Sequence, residues 1–226
     1  MIKKHPQAFT LIELTVVLIV IGLIAGGIAA GTELIRQGKI KGVISEIQAF
    51  QIAFNTFKEK FNYLPGDFPY ATSLFPSSGN GNGNGQISYS QTVVGNGPEW
   101  LRAWDHLSQA NLIPNLAYTG TNTPTSVPYS KAFNGYWGIG YETTIYSFRR
   151  RNYLQSTRDL GPTDLYIMDT KIDDGLAGRG KFLGLAPTPY IAGHCVTAQF
   201  TSSNANYILP DINNYNDCRI FYIIDN

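Results

Sequence analysis

From Leu11 to Ala30 the chain runs for about twenty residues with a single charge, Glu13, among them. At 1.5 Å rise per residue such a run crosses roughly 30 Å of hydrocarbon as one helix. That restricts the rest of the molecule to a domain carried beside a membrane. The preceding octapeptide, Met1 to Ala8, is polar and basic through Lys3 and Lys4, so the positive-inside rule keeps it in the cytoplasm. Glu13 is the anomaly. A carboxylate at mid-membrane costs about 2.5–3.5 kcal/mol or more, and one retained there calls for a partner.

Three readings of this N-terminus compete. A secretory signal peptide wants a shorter apolar core and a small-x-small cleavage site, which Ala25-Gly26-Gly27 or Ala29-Ala30-Gly31 imitates. An ordinary single-span anchor fits the length equally well. Neither accounts for Phe9-Thr10-Leu11-Ile12-Glu13 directly after a basic octapeptide. The stretch Ala8-Phe9-Thr10-Leu11-Ile12-Glu13-Leu14 resembles the prepilin-type cleavage and methylation signal of type IV pilins and of type II secretion pseudopilins.

The resemblance implies that a membrane-bound aspartic prepilin peptidase cuts between Ala8 and Phe9 and methylates the new terminus. The residue before the cut is usually glycine; here it is Ala8, also small. It further implies that Glu13 meets the Phe9 amine, of its own or a neighbouring subunit, and helps set the stagger of a filament. Two charges that are each costly in lipid offset one another when paired. A carboxylate that only reaches back to the cytoplasmic face is the plainer alternative. Gly22, Gly26, Gly27 and Gly31 suit close helix packing. Ala30 stands where several major pilins have a helix-bending proline.

The helix is expected to continue. No proline follows until Pro65, and Ile40, Val43, Ile44, Ile47, Phe50, Phe54, Phe57 and Phe61 recur at three- and four-residue steps. This face must pack on the domain that follows. Leu64-Pro65-Gly66-Asp67 reads as a type II turn. The expected organisation is a leader at 1–8, a membrane or filament-core helix at 9–31, its amphipathic half at 32–62, and a globular domain at 63–226. With 14 Tyr, 12 Phe, 23 Gly and 12 Pro, that domain is read as strands, turns and long loops. The fold class is α+β, a pilin-like fold with the long helix on a mainly antiparallel sheet.

Within the domain, Ser78–Gly85 reads as a flexible low-complexity loop and Pro98–Leu107 as a short amphipathic helix with His106 on its surface. Gly135–Phe148 reads as one or two strands and Pro162–Asp169 as a helix. Asn206–Leu209 and Cys218–Asp225 read as strands. Cys195 and Cys218 are the only cysteines; in an exported domain they are expected to pair, two buried thiols being the alternative. Major pseudopilins carry a calcium site in a C-terminal loop, and Asp169, Asp173 and Asp174 are the residues here that would imitate it; an Asp-Gly turn is the plainer reading. No other cofactor is expected.

Several function classes lose ground. A net charge of +1, falling to −1 once Lys3 and Lys4 leave with the leader, supports no polyanion partner, and Arg149-Arg150-Arg151 alone makes no nucleic-acid footprint. Gly175–Lys181 imitates a P-loop, but Phe182 stands where Ser or Thr should hold Mg²⁺, and Pro187 and Pro189 forbid the helix. A secreted hydrolase is the alternative of another class. It would have to work with His106 and His194 and without a GxSxG or HExxH motif. The expectation is therefore a non-enzymatic filament subunit. Its partners would be other pilin copies or paralogues, prepilin peptidase and an inner-membrane assembly platform. It would sit in the inner membrane as a precursor and in a periplasmic or surface filament when mature; a non-polymerising anchored protein is the alternative.

Overall fold

The computed structural model describes residues 10–88, 97–114, 126–142, 151–157, 160–186, 194–197, 205–209 and 217–225. Helix α1 spans Leu11–Phe61 without a break. The chain divides into two compact units, residues 1–39 and 40–226, so the expected apolar stripe begins where the second unit does. In that unit Ile40, Val43, Ile47, Phe50, Ala53, Phe54 and Phe57 are buried, with Ile44 and Phe61 at the margin. Asn62 in the left-handed region (φ 60) ends the helix by donating its N–H to the Lys58 carbonyl.

The turn after it forms as the sequence predicts. Asp67 N–H donates to the Leu64 carbonyl across Pro65-Gly66, and Gly66 has φ +86. A Cβ at Gly66 would lie 2.4 Å from the Glu99 carbonyl oxygen, so glycine is required twice over. After α2 (Ala71–Leu74), α3 (Glu99–Gln109) buries Leu101, Trp104 and Leu107 against α1. The Trp104 ring meets Phe50 and Phe54 edge-on, at centroid distances of 5.1 and 6.2 Å.

Five strands complete the unit: β1 (Tyr129–Ser130), β2 (Gly135–Glu142), β3 (Arg151–Ser156), β4 (Phe182–Leu185) and β5 (Arg219–Ile223). Helix α4 (Pro162–Ile172) lies between β3 and β4 in sequence. The sheet order is β1-β2-β3-β5-β4 and every pairing is antiparallel. Alternation divides each strand between two faces. Trp137, Ile139, Leu154, Phe182 and Ile220 enter the core shared with α1 and α3. Tyr153, Leu183, Leu185 and Phe221 form a small cluster on the other face, where Tyr153 and Phe221 stack at 4.5 Å. Trp137 Nε1–H donates to Glu46 Oε2 at 2.7 Å, tying β2 to α1.

Two expectations need correction. Asn206–Leu209 forms no strand; Tyr207 makes one isolated bridge to Val196. The Gly-Asn tract is a built loop, held by the hydrogen bonds described below. The final strand is present, and β4 rather than a helix follows the P-loop imitation. Cys195 and Cys218 are joined, with Cα atoms 5.8 Å apart. The two cysteines stand at a sequence separation of 23, so reduction is expected to cost about 3 kcal/mol in the chain-entropy picture. Thermal melting with and without reductant checks this, and an unchanged midpoint would contradict it.

Candidate functional site

From Leu11 to Ala30 the N-terminal unit is an apolar rod with one ionisable side chain, Glu13. Leu11, Ile12, Leu14 and the apolar residues up to Leu34 are exposed, from 47 % at Val20 to 83 % at Leu11. The stretch is long and apolar enough to cross a membrane. At its start Thr10 and Glu13 form a capping box. Glu13 Oε2 accepts both the Thr10 backbone N–H and the Thr10 hydroxyl at 2.8 Å, and Glu13 N–H points back to Thr10 Oγ1 at 3.3 Å. The T-x-x-E spacing from Thr10 to Glu13 is the sequence signal of this cap. Ala8 and Phe9, the expected cleavage and methylation residues, lie outside the described residues.

In the second unit the unexpected chemistry gathers on α3. Glu99, Arg102 and His106 recur at three- and four-residue steps on the face away from Trp104, and all three are fully buried. Glu99 Oε1 accepts from Asn82 N–H at 3.1 Å and its Oε2 from Ser88 N–H at 2.9 Å. Arg102 donates Nε–H to the Gly97 carbonyl at 2.8 Å, Nη2–H to the same carbonyl, and Nη1–H to the Asn80 carbonyl. Asp67 faces them from the turn, taking Asn84 N–H at 3.0 Å and Gly85 N–H at 2.7 Å. Burial pushes the Asp67 and Glu99 carboxyls above the usual carboxylate range, against the pull of those N–H donors.

His106 is therefore not on the surface. Its Nδ1 accepts the Gly66 N–H at 2.9 Å, which fixes the proton on Nε2, 3.1 Å from the Gly79 carbonyl. The ring stacks on Phe57 at 5.9 Å. Burial drives its pKa down to about 4. With both nitrogens committed and the ring sealed, His106 has no free atom for base catalysis. A groove of about 400 Å³ is lined by Lys58, Asn62, Tyr63, Asp67, Arg151 and Asp225, with no Ser, Thr, Cys or His among its lining residues.

The three expected calcium ligands share one segment but serve different donors. Asp169 Oδ2 accepts the Tyr207 hydroxyl at 2.7 Å and Oδ1 the Gly175 N–H at 3.0 Å. Asp173 Oδ2 accepts from Lys181 N–H and Phe182 N–H, and Asp174 Oδ1 from Leu176 N–H at 2.9 Å. Each of the three is thus engaged by a donor of this chain, and their oxygens do not converge as one group of ligands. Among the described residues, the His, Cys, Asp or Glu atoms that converge in a group of three belong to Cys195, Asp217 and Cys218, two of which are the disulfide.

Residues 3–29 match the prokaryotic N-terminal methylation motif, the prepilin signal of type IV pilins and pseudopilins. No curated protein and no solved structure matches this sequence. The motif is that of pilin-like and pseudopilin substrates of prepilin peptidase, which are structural proteins, and it supports such a substrate here. A long N-terminal helix with a small antiparallel sheet is the α+β arrangement of a pilin-like fold.

Proposed function

We propose that the protein is a structural subunit, major or minor, of a type IV pilus or a type II secretion pseudopilus. Prepilin peptidase cuts it between Ala8 and Phe9 and methylates the Phe9 amine, and an inner-membrane platform then draws it into a filament of its own copies or paralogues. The observation that carries the reading is the exposed apolar helix from Leu11 to Leu34 under a methylation motif, with one capped carboxylate near its start. In the bilayer lipid covers that face at little cost; in a filament neighbouring helices replace lipid, and the glycines at 22, 26, 27 and 31 let them approach. The globular domain stays outside the cytoplasm, where its disulfide survives.

Glu13 has two duties in this scheme. Its carboxylate satisfies the Thr10 N–H that opens the helix, and its charge receives the new Phe9 amine of a neighbouring copy. The duties separate by substitution. Glu13→Gln keeps an acceptor for Thr10 and loses the charge, whereas Glu13→Val loses both. Both variants are expected to insert in the membrane and to be cut, and both to lose filament incorporation. Wild-type filament yield from Glu13→Val would sink the pairing role; rescue by Glu13→Gln alone would reduce Glu13 to a helix cap. N-terminal mass analysis tests processing. A polypeptide beginning at methylated Phe9 only in cells with the peptidase is the expected result, and an uncut membrane-held form would favour a non-polymerising anchor.

A further inference from the structure

Three Asn-Gly pairs stand in a row: Asn80-Gly81, Asn82-Gly83 and Asn84-Gly85. Such pairs are where a backbone cyclises most readily onto a side chain, since glycine leaves the attacking nitrogen unhindered and the backbone free to turn. The glycine nitrogen attacks the asparagine Cγ, a new N–C bond forms, the Cγ–Nδ2 bond breaks, and ammonia leaves carrying the displaced proton. Water then opens the succinimide at either carbonyl to give aspartate or isoaspartate. One water is consumed and one ammonia released, with no change in oxidation state.

The folded loop occupies every nitrogen this step needs. Gly81 N–H donates to the Phe68 carbonyl at 2.8 Å, Gly83 N–H to the Asp67 carbonyl at 3.0 Å, and Gly85 N–H to Asp67 Oδ2 at 2.7 Å. The asparagine side chains are held too. Asn80 Oδ1 accepts from Thr72 N–H, Asn82 Oδ1 from Asn84 N–H, and Asn84 Oδ1 from Gln86 N–H, at 2.8–3.0 Å. Asp67, the hub, is 1 % exposed, and a Cβ at Gly81 would fall 2.2 Å from its carbonyl carbon. Asn82 and Asn84 themselves lie in solvent, so water and base reach them and burial is not the protection.

We propose that this tract is a latent deamidation site held shut through Asp67, so that succinimides form only in molecules whose loop has opened. Isoaspartate adds a main-chain atom, and a subunit bearing it has lost the register of amides around Asp67. A subunit left unfolded for long would be marked irreversibly, whatever its filament.

The test is peptide mass spectrometry, with isoaspartate detection, on the full-length protein in detergent at mildly alkaline pH. A free peptide covering residues 76–88 gives the open-loop rate. The folded protein is expected to deamidate at Asn80, Asn82 and Asn84 roughly tenfold or more slowly than the peptide. Asp67→Ala should speed Asn84 most, since Gly85 N–H loses its acceptor, and Asn82 less, since the backbone carbonyl that takes Gly83 N–H remains. Asp67→Asn, which keeps one acceptor oxygen, should speed Asn84 less than Asp67→Ala does. Asn84→Asp should melt close to wild type, because its carboxylate still accepts from Gln86, whereas the isoaspartate fraction should melt lower. A folded rate within about twofold of the peptide overturns the proposal. So does an Asp67→Ala variant that melts cooperatively and deamidates at the wild-type rate. If Asp67→Ala fails to fold, its rate must equal the peptide's.

Discussion

Replacing Arg102 with methionine is expected to lower the melting midpoint by roughly 10–15 °C, a loss of about 3–5 kcal/mol. The side chain is fully buried and its fork holds two loop carbonyls, those of Gly97 and Asn80. Methionine fills most of the volume, so the cost is not a cavity. It comes from stranding those two acceptors, each at about 1–3 kcal/mol, and from leaving Glu99, whose pKa burial already raises, without the nearby cation that pulls the other way. Arg102→Lys keeps the charge but lacks a fork, so it should fall between methionine and wild type. Glu99→Gln combined with Arg102→Met should lose less than the two single changes together, since the neutral amide no longer needs the cation. Tryptophan fluorescence reports the melt, all three tryptophans lying in the second unit. A midpoint for Arg102→Met within about 2 °C of wild type would mean the network is decoration.

What the sequence made legible was whatever rests on local pattern. The Ile40-to-Phe61 stripe, the Leu64–Asp67 turn, the Trp104 face of α3, helix α4 with its Pro162 start, and the last strand all follow from spacing or turn chemistry. What escaped depends on partners far along the polypeptide. Glu99, Arg102 and His106 have helical spacing that is plain in the sequence, but charged residues at that spacing ordinarily face water. They are buried because backbone groups from Asn80, Asn82 and Gly66 satisfy them, and nothing in α3 announces those partners. The Gly-Asn tract misled for the matching reason. Its composition is that of a flexible linker, yet its N–H groups converge on two buried carboxylates, those of Asp67 and Glu99. Asp169 was legible as an oxygen donor, but Tyr207, the hydroxyl it receives, sits 38 residues away. At the N-terminus the motif was local and the sequence reading needed little help.

Acid should expose His106 and Asp169 as opposed titrations. His106 has a folded pKa of about 4 against an ordinary value of 6.5, so below pH 6.5 the unfolded state binds the proton first. Its contribution is complete above pH 6.5 and is lost as the pH falls towards 4, on the order of 3 kcal/mol in all. Asp169 runs the other way. Its folded pKa, pushed up to about 6 by burial, lies above the ordinary 3.8, so the folded state takes up the proton first and acidification from pH 6 towards 4 favours it. Asp67 and Glu99, also raised, act with Asp169. The carboxyls therefore oppose the imidazole across this window, and wild type should lose less stability on acidification than His106 alone would take from it. His106→Gln separates them: the amide can accept from Gly66 and donate to Gly79 as the neutral ring does, but cannot titrate. The gap in stability between wild type and His106→Gln should close by about 3 kcal/mol between pH 7 and 4, while Asp169→Asn should make the protein more acid-labile than wild type. A gap independent of pH would show that His106 titrates alike in the folded and unfolded states, and would remove the sealed imidazole from the account of this core.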